Sequence, residues 1–187
     1  RMAVRLTSEH GARVLDVGTL DDGDQYIVLE YLEGEDLAQV LARRGPLPID
    51  EAVGYVLQAC EALAEAHALG VVHRDVKLSN LFVTRRADGS TSLKVIDFGL
   101  ARAGTTEGAI EHGLTGGGVV GTPRSMAPEQ VQTSQPVDER ADVWGLGTVL
   151  FELCTGQSPF TGETVQELFA KILFQEAKGV CELRPDA

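Results

Sequence analysis

Of the 187 residues, 43% are hydrophobic, enough apolar material to bury the core of one domain, so disorder of the whole chain is excluded. Sixteen Lys and Arg against 28 Asp and Glu leave a net charge of −12, a surface that repels nucleic-acid backbones and anionic lipid. Nucleic acid is therefore not an expected partner. No apolar run approaches the roughly 18–20 residues of a membrane span; the longest, Val143 to Phe151, is broken by Gly and Thr and stopped by Glu152. Arg1 to Leu6 shows no apolar leader stretch. Cys60, Cys154 and Cys181 are odd in number, far apart and without C-x-x-C spacing, which predicts buried, reduced thiols in a cytoplasmic setting.

Along the chain, Ala12 to Val17 and Tyr26 to Tyr31 alternate as strands around the turn Asp21-Asp22-Gly23-Asp24, which predicts a hairpin; the turn lacks the ligand series of a calcium loop. From residue 36 the period becomes helical. Leu37, Val40 and Leu41 mark a short helix, and Ala52 to His67 a long one that opens near Pro48 and closes at Gly70, with His67 as a packed helix residue. Short β-like pieces follow at Val71-Val72, Leu81 to Thr84 and Leu93 to Ile96. From Asp97 to Glu129, 8 of 33 residues are Gly, which predicts a long mobile segment. Ala141 to Leu153 reads as a core helix, apolar nearly all round, and Val165 to Leu173 as an amphipathic one.

Between two of the short strands lies His73-Arg74-Asp75-Val76-Lys77-Leu78-Ser79-Asn80. An Asp at a strand end can accept a proton from an attacking hydroxyl, a Lys two residues on can face a transferring phosphoryl group, and an Asn five residues on can offer an oxygen to Mg²⁺. Asp97-Phe98-Gly99 follows 17 residues after Asn80, and Gly121-Thr122-Pro123-Arg124-Ser125-Met126-Ala127-Pro128-Glu129 comes after that. H-R-D-x-K-x-x-N, D-F-G and A-P-E in this order form the protein-kinase signature set.

On these motifs the sequence resembles the eukaryotic-type (Hanks-type) serine/threonine protein kinase family, and within it the bacterial branch. Lys77 is the serine/threonine mark. The resemblance implies an α+β, protein-kinase-like fold: residues 1–29 as the end of an N-lobe, 30–36 as the hinge, and 37–187 as an incomplete, mostly helical C-lobe. It implies ATP and Mg²⁺ as cofactors, Ser/Thr-bearing protein substrates, and a dimer or autophosphorylation partner. By position, Asp75 corresponds to the catalytic base, Lys77 to the γ-phosphate contact, and Asn80 and Asp97 to the Mg²⁺ ligands. Leu29 falls at the gatekeeper position, and Glu30 and Leu32 at the hinge that meets adenine through its backbone. Asp36 corresponds to the ribose contact but equally suits a helix N-terminus. Phe82 falls at the adenine floor, or is ordinary strand core. Thr122 corresponds to the P+1-loop Thr near the catalytic Asp and Lys. Asp142 matches the Asp that braces the catalytic loop and also suits a helix cap. Arg74 implies an activation segment ordered by phosphorylation, with Thr115 first among Thr105, Thr106, Thr115 and Thr122 as the switch.

The sequence also departs from the family pattern. Leu78 stands where Pro is common and Ser125 where Tyr is common. No G-x-G-x-x-G loop or V-A-I-K Lys precedes residue 36, and the late helices that supply the Arg partner of Glu129 are missing from these residues. The expectation is an internal portion of a kinase domain, inactive alone. The alternative is a non-catalytic kinase-fold interaction module.

Overall fold

The computed structural model describes residues 6–86, 88–98, 122–132 and 136–185, with Thr122 described in its backbone only. Strands β1 (Val14–Thr19) and β2 (Gln25–Leu29) pair antiparallel as the expected hairpin, its tip closed by Leu20 N–H donating to Asp24 O at 2.7 Å. Strand β1 begins two residues after its predicted start and β2 one residue before its own, and β2 ends at Leu29 because Arg13 N–H donates to the Glu30 side chain in place of the Glu30 carbonyl. Strands β3 (Gly34–Asp36), β4 (Leu81–Arg85) and β5 (Thr91–Val95) form a second antiparallel sheet in the order β3-β4-β5. The stretch 30–36, which the resemblance assigns to the hinge, thus ends in a strand paired to β4. Gly34 permits this: its φ is +154°, and a Cβ there would lie 2.0 Å from Val83 O. Val71-Val72, expected as β-like, joins no strand.

Helix α1 (Leu37–Arg44) starts on a reciprocal cap, with Gln39 N–H donating to Asp36 Oδ1 at 2.8 Å and Asp36 N–H donating to Gln39 Oε1 at 3.2 Å. Helix α2 (Ile49–Ala68) opens after Pro48 with Asp50 and Glu51 in its first turn, where carboxylates suit the helix dipole. It closes at Gly70, whose φ of +73° lets Val71 N–H reach back to Ala66 O. The short α3 (Pro128–Val131) follows the second described stretch. Helix α4 (Arg140–Thr155) ends at Gly156 in the left-handed conformation, and α5 (Val165–Phe174) is capped by Thr164 accepting from Glu167 N–H. A four-residue turn, α6 (Val180–Leu183), comes last.

The main core joins Leu37 and Val40 of α1, the Ala52, Ala59, Ala62, Leu63 and Ala66 face of α2, Leu81, Leu93 and Val95 of the sheet, and Leu146, Val149 and Leu153 of α4. The small alanine face lets α2 lie close to β5 and α4. A second cluster, Phe160, Leu168 and Ile172, packs α5 against Trp144, which stacks on Phe160 at 5.8 Å. Beside it lies a cavity of about 480 Å³ lined by Pro128, Trp144, Phe151, Phe160 and Ile172. Two expectations are corrected. Helix α4 is not apolar all round in its environment, because Val143 is 64% exposed while the adjacent Asp142 is buried. Of the cysteines only Cys154 is buried; Cys60 is half-buried and Cys181 exposed, since α6 is too short to bury both its faces. None of the three forms a disulfide.

Candidate active site

The loop from His73 to Asn80 is held against α4 from behind. Asp142, 1% exposed, accepts His73 N–H through Oδ2 at 2.8 Å and Arg74 N–H through Oδ1 at 2.7 Å. His67 Nε2, from the last turn of α2, donates to Asp142 Oδ2 at 2.7 Å. Asp142 therefore braces the loop and does not cap its own helix; Arg140 N–H finds Asp138 Oδ1 instead. His67, expected as simple packing, is the third donor on this carboxylate, and its i, i+75 pairing left no local signal. Val76 completes the seat. It is buried against Gly145, where a Cβ would come within 2.7 Å of Val76 Cβ and 2.9 Å of Val76 O, so only glycine allows α4 to approach the loop this closely.

His73 links the loop to residues 96–98. Asp75 N–H donates to His73 Nδ1 at 3.2 Å, which makes Nδ1 the acceptor and Nε2 the protonated nitrogen that donates to Ile96 O at 2.9 Å. The ring also packs on Phe98, centroids 5.1 Å apart, and Ile96 N–H donates to Asn80 O at 3.0 Å. Asp97 is thus bracketed on both sides by residues attached to the 73–80 loop. Its own carboxylate is on an exposed residue. Among the described residues, positive φ outside glycine occurs at Arg74 (67°) and Asp97 (58°), both in this site.

Asp75, Lys77 and Asn80 converge. Lys77 Nζ lies 2.8 Å from Asp75 Oδ2, with side-chain exposures of 23% and 32%, so the pair opens to solvent on one side. Asn80 is buried, and its Nδ2 donates to Asp75 O at 2.8 Å and to Asp75 Oδ2 at 3.2 Å. With the amide nitrogen committed, Asn80 Oδ1 is the atom left to face away from Asp75. Oδ1 and the Asp97 carboxylate are hard oxygen donors of the kind Mg²⁺ takes, so these residues suit that ion.

The other predicted residues fall along one row of the sheet. Antiparallel partners share a face, and Phe82 is in register with Asp36 on β3 and Lys94 on β5. Leu81 and Val95 face the core, so half-buried Phe82 points to the opposite side and is not core. Asp36 is the N-cap of α1 through Oδ1. Glu30 accepts Lys94 Nζ and Arg13 N–H on Oε1, at 2.8 and 2.9 Å. Burial pushes its carboxyl upward, but hydrogen bonds from Lys94 and from Arg13 N–H, with the charge of Lys94, outweigh this and hold it below the usual glutamate range. Leu32 is half-buried. Arg74 is exposed, and its carbonyl accepts Gln130 Nε2 at 2.7 Å, joining α3 to the loop. Thr122 opens a 3-10 turn over 122–125. Its side chain lies outside the described residues, as do Gly99, Thr105, Thr106 and Thr115. Lys94, Gln130 and His67 are the site-forming residues the sequence did not disclose.

Residues 7–184 match the protein kinase domain family. The chain is 39% identical to serine/threonine-protein kinase pkn3 of Myxococcus xanthus over 190 residues, covering 100% of this chain and 34% of that protein. It is 39% identical to serine/threonine-protein kinase PknB of Mycobacterium tuberculosis over 140 residues, covering 74% of this chain and 21% of that protein. Among solved structures, the Mycobacterium tuberculosis PknI kinase domain (C20A_R136A double mutant) superposes with a TM-score of 0.71 at 26% identity, over 97% of this chain and 60% of that one. Rad53 1–466 in complex with AMP-PNP gives 0.70 at 25% identity, over 90% and 39%. The chain spans about a third or less of the length of these curated relatives. Among the described residues, no helix is long and apolar enough to cross a membrane.

Proposed function

Because this chain belongs to the protein kinase domain family, we propose that it contributes the catalytic loop, hinge and metal-ligand residues of an ATP-dependent serine/threonine protein kinase acting on protein hydroxyls in the cytoplasm. The observation that carries this reading is the convergence of Lys77 and Asn80 on Asp75 Oδ2, which leaves one carboxylate fixed in place beside a cation and an amide. ATP and Mg²⁺, when bound, supply the phosphoryl group and neutralise its developing charge. The chain's own residues do the rest. Asp75 would orient the acceptor hydroxyl and take its proton at a carboxylate oxygen as that hydroxyl oxygen bonds to the γ-phosphorus and the bond from the γ-phosphorus to the β–γ bridging oxygen breaks, ADP leaving. Lys77 Nζ sits beside that oxygen, where it can hold a phosphate oxygen and damp the negative charge accumulating between the two. Asn80 Oδ1 and the Asp97 carboxylate would hold the metal. Glu30 N–H is spent on Arg13 O, so the base falls to Glu30 C=O and the Leu32 backbone, with Phe82 beneath it. Asp36 keeps Oδ2 for the ribose. Arg74 is the anchor for a phosphate on Thr115, and Thr122 helps present the acceptor.

The test compares two variants in the full-length protein. Asp97→Ala is expected to remove Mg²⁺-dependent nucleotide binding and turnover together. Asp75→Asn spares binding and lowers kcat by about a thousandfold or more. Equal losses of binding in both, or transfer that survives Asp75→Asn, would overturn the assignment of roles and favour a non-catalytic interaction module.

A further inference from the structure

Lys94 has no place in the motifs, yet it lies where the two sheets meet. Its stem crosses the face of β5 opposite the core, in register with Phe82, and its Nζ reaches Glu30 Oε1 at 2.8 Å with Gly11 O at 3.5 Å. The two side chains are 19% and 21% exposed, so the pair is largely shielded from water and from screening ions. The same Glu30 oxygen accepts Arg13 N–H, and Glu30 N–H donates to Arg13 O. One ammonium from the β3-β4-β5 sheet thus grips the residue that follows the β1-β2 hairpin. The other tie nearby comes from residues 10–12: Ala12 N–H to Val95 O and Val95 N–H to His10 O, at 2.9 and 2.7 Å, with the His10 ring Nδ1 also 2.8 Å from Leu93 O. Both ties converge on the same end of β5, and the connector 30–33 leaves directly from Glu30.

We propose that Lys94 is a positioning residue for the adenine site: by holding the Glu30 carboxylate it fixes the backbone of residues 30–32 relative to the Phe82 row of the sheet. This rests on the nucleotide reading above. A side chain tied at Oε1 by a charged donor and a backbone amide leaves its own main chain little freedom, so the direction of Glu30 C=O follows from where Lys94 stands. A base that hydrogen-bonds to this backbone then meets preorganised groups and loses less entropy on binding.

The experiment measures adenosine, which has no phosphates, and AMP-PNP with Mg²⁺ by calorimetry on the full-length protein, well below each variant's unfolding midpoint. Lys94→Met keeps the stem and removes the ammonium. It is expected to weaken both ligands by the same factor, about five- to tenfold, a fraction of what a hydrogen bond to a charged group is worth. The KM for ATP rises while kcat stays within about twofold. Lys94→Arg recovers most of the loss, and adding Glu30→Gln to Lys94→Met weakens binding no further, because both remove one interaction. Should Lys94→Met not fold, Glu30→Gln alone carries the same comparison. A lowered unfolding midpoint with unchanged adenosine affinity would make the pair purely structural and overturn the proposal. So would a loss confined to AMP-PNP, which would place Lys94 at the phosphates. If the unmodified protein binds neither ligand, the nucleotide reading falls and this inference with it; if it binds both and Lys94→Met binds them equally well, the inference alone falls.

Discussion

The loop from His73 to Asn80 and the β1-β2 hairpin are held by opposite means. The loop rests on a buried carboxylate with three donors and on a glycine that lets α4 touch Val76, so its position is set by groups that water does not reach. The hairpin shows apolar side chains on both faces, with Leu15, Val17, Ile27 and Val28 each 40% or more exposed, and it attaches to the rest of the chain through residues 10–12 and the Glu30–Lys94 pair. Removing a partner from the first region strands polar groups in a low-dielectric interior, whereas in the second most groups fall back on solvent.

That contrast breaks first at Asp142. Asp142→Ala leaves the His73 and Arg74 amides buried without an acceptor and should cost about 3–5 kcal/mol by chemical denaturation, with Asp142→Asn, which keeps one acceptor oxygen, losing about half as much. Next comes a pair within one helix. Helix propensity alone favours Ala over Gly by about 1 kcal/mol, and Gly147, with nothing within 4 Å of its virtual Cβ, should gain close to that as Gly147→Ala. Gly145→Ala should instead lose about 1–3 kcal/mol, because overlap with Val76 exceeds the propensity gain. A stabilised Gly145→Ala would mean that α4 and the loop can separate freely.

The third comparison is made in pH. Glu30 is held below its ordinary value of 4.5, so its folded state binds fewer protons than the unfolded chain; its stabilisation is present above that value and is lost as pH falls through the folded pKa. Glu152 on α4 behaves oppositely. Burial raises it, against hydrogen bonding from Ser158 and the charge of Arg124, so its contribution is full at low pH and is lost as pH rises above 4.5 through the folded pKa. Glu30→Gln should flatten the acid limb of the stability profile, and Glu152→Gln should raise stability near neutrality; the same slope change in both would contradict the two environments. The smallest effect belongs to the hairpin surface. Ile27→Thr keeps the β-branch and should change stability by no more than about 0.5 kcal/mol.

Local chemistry was legible in the sequence where it was contiguous. The octet 73–80, D-F-G and the helices α1, α2, α4 and α5 follow from spacing and periodicity, and the structure places Asp75, Lys77 and Asn80 in mutual contact. Phe82 and Asp36 were ambiguous because a strand residue looks the same whichever face it takes; only the register with Lys94 and the core side of Leu81 decides. His67, Gln130 and Lys94 were illegible for a different reason. Their partners lie 75, 56 and 64 residues away, and nothing in their own neighbourhoods distinguishes them from helix or strand filler. The extent of α6 and the exposure of Cys181 were missed because a four-residue turn carries no period.

The left-handed corners at Arg74 and Asp97 have a consequence for how such a sequence can drift. A side chain with a Cβ pays roughly 1–2 kcal/mol to stand there, and glycine would stand there for less, so each corner has a mutational exit that makes the folded chain more robust while deleting the charged side chain. Libraries sorted only for solubility or heat resistance should therefore accumulate Arg74→Gly and Asp97→Gly, and lineages that keep both residues record selection for something other than folding.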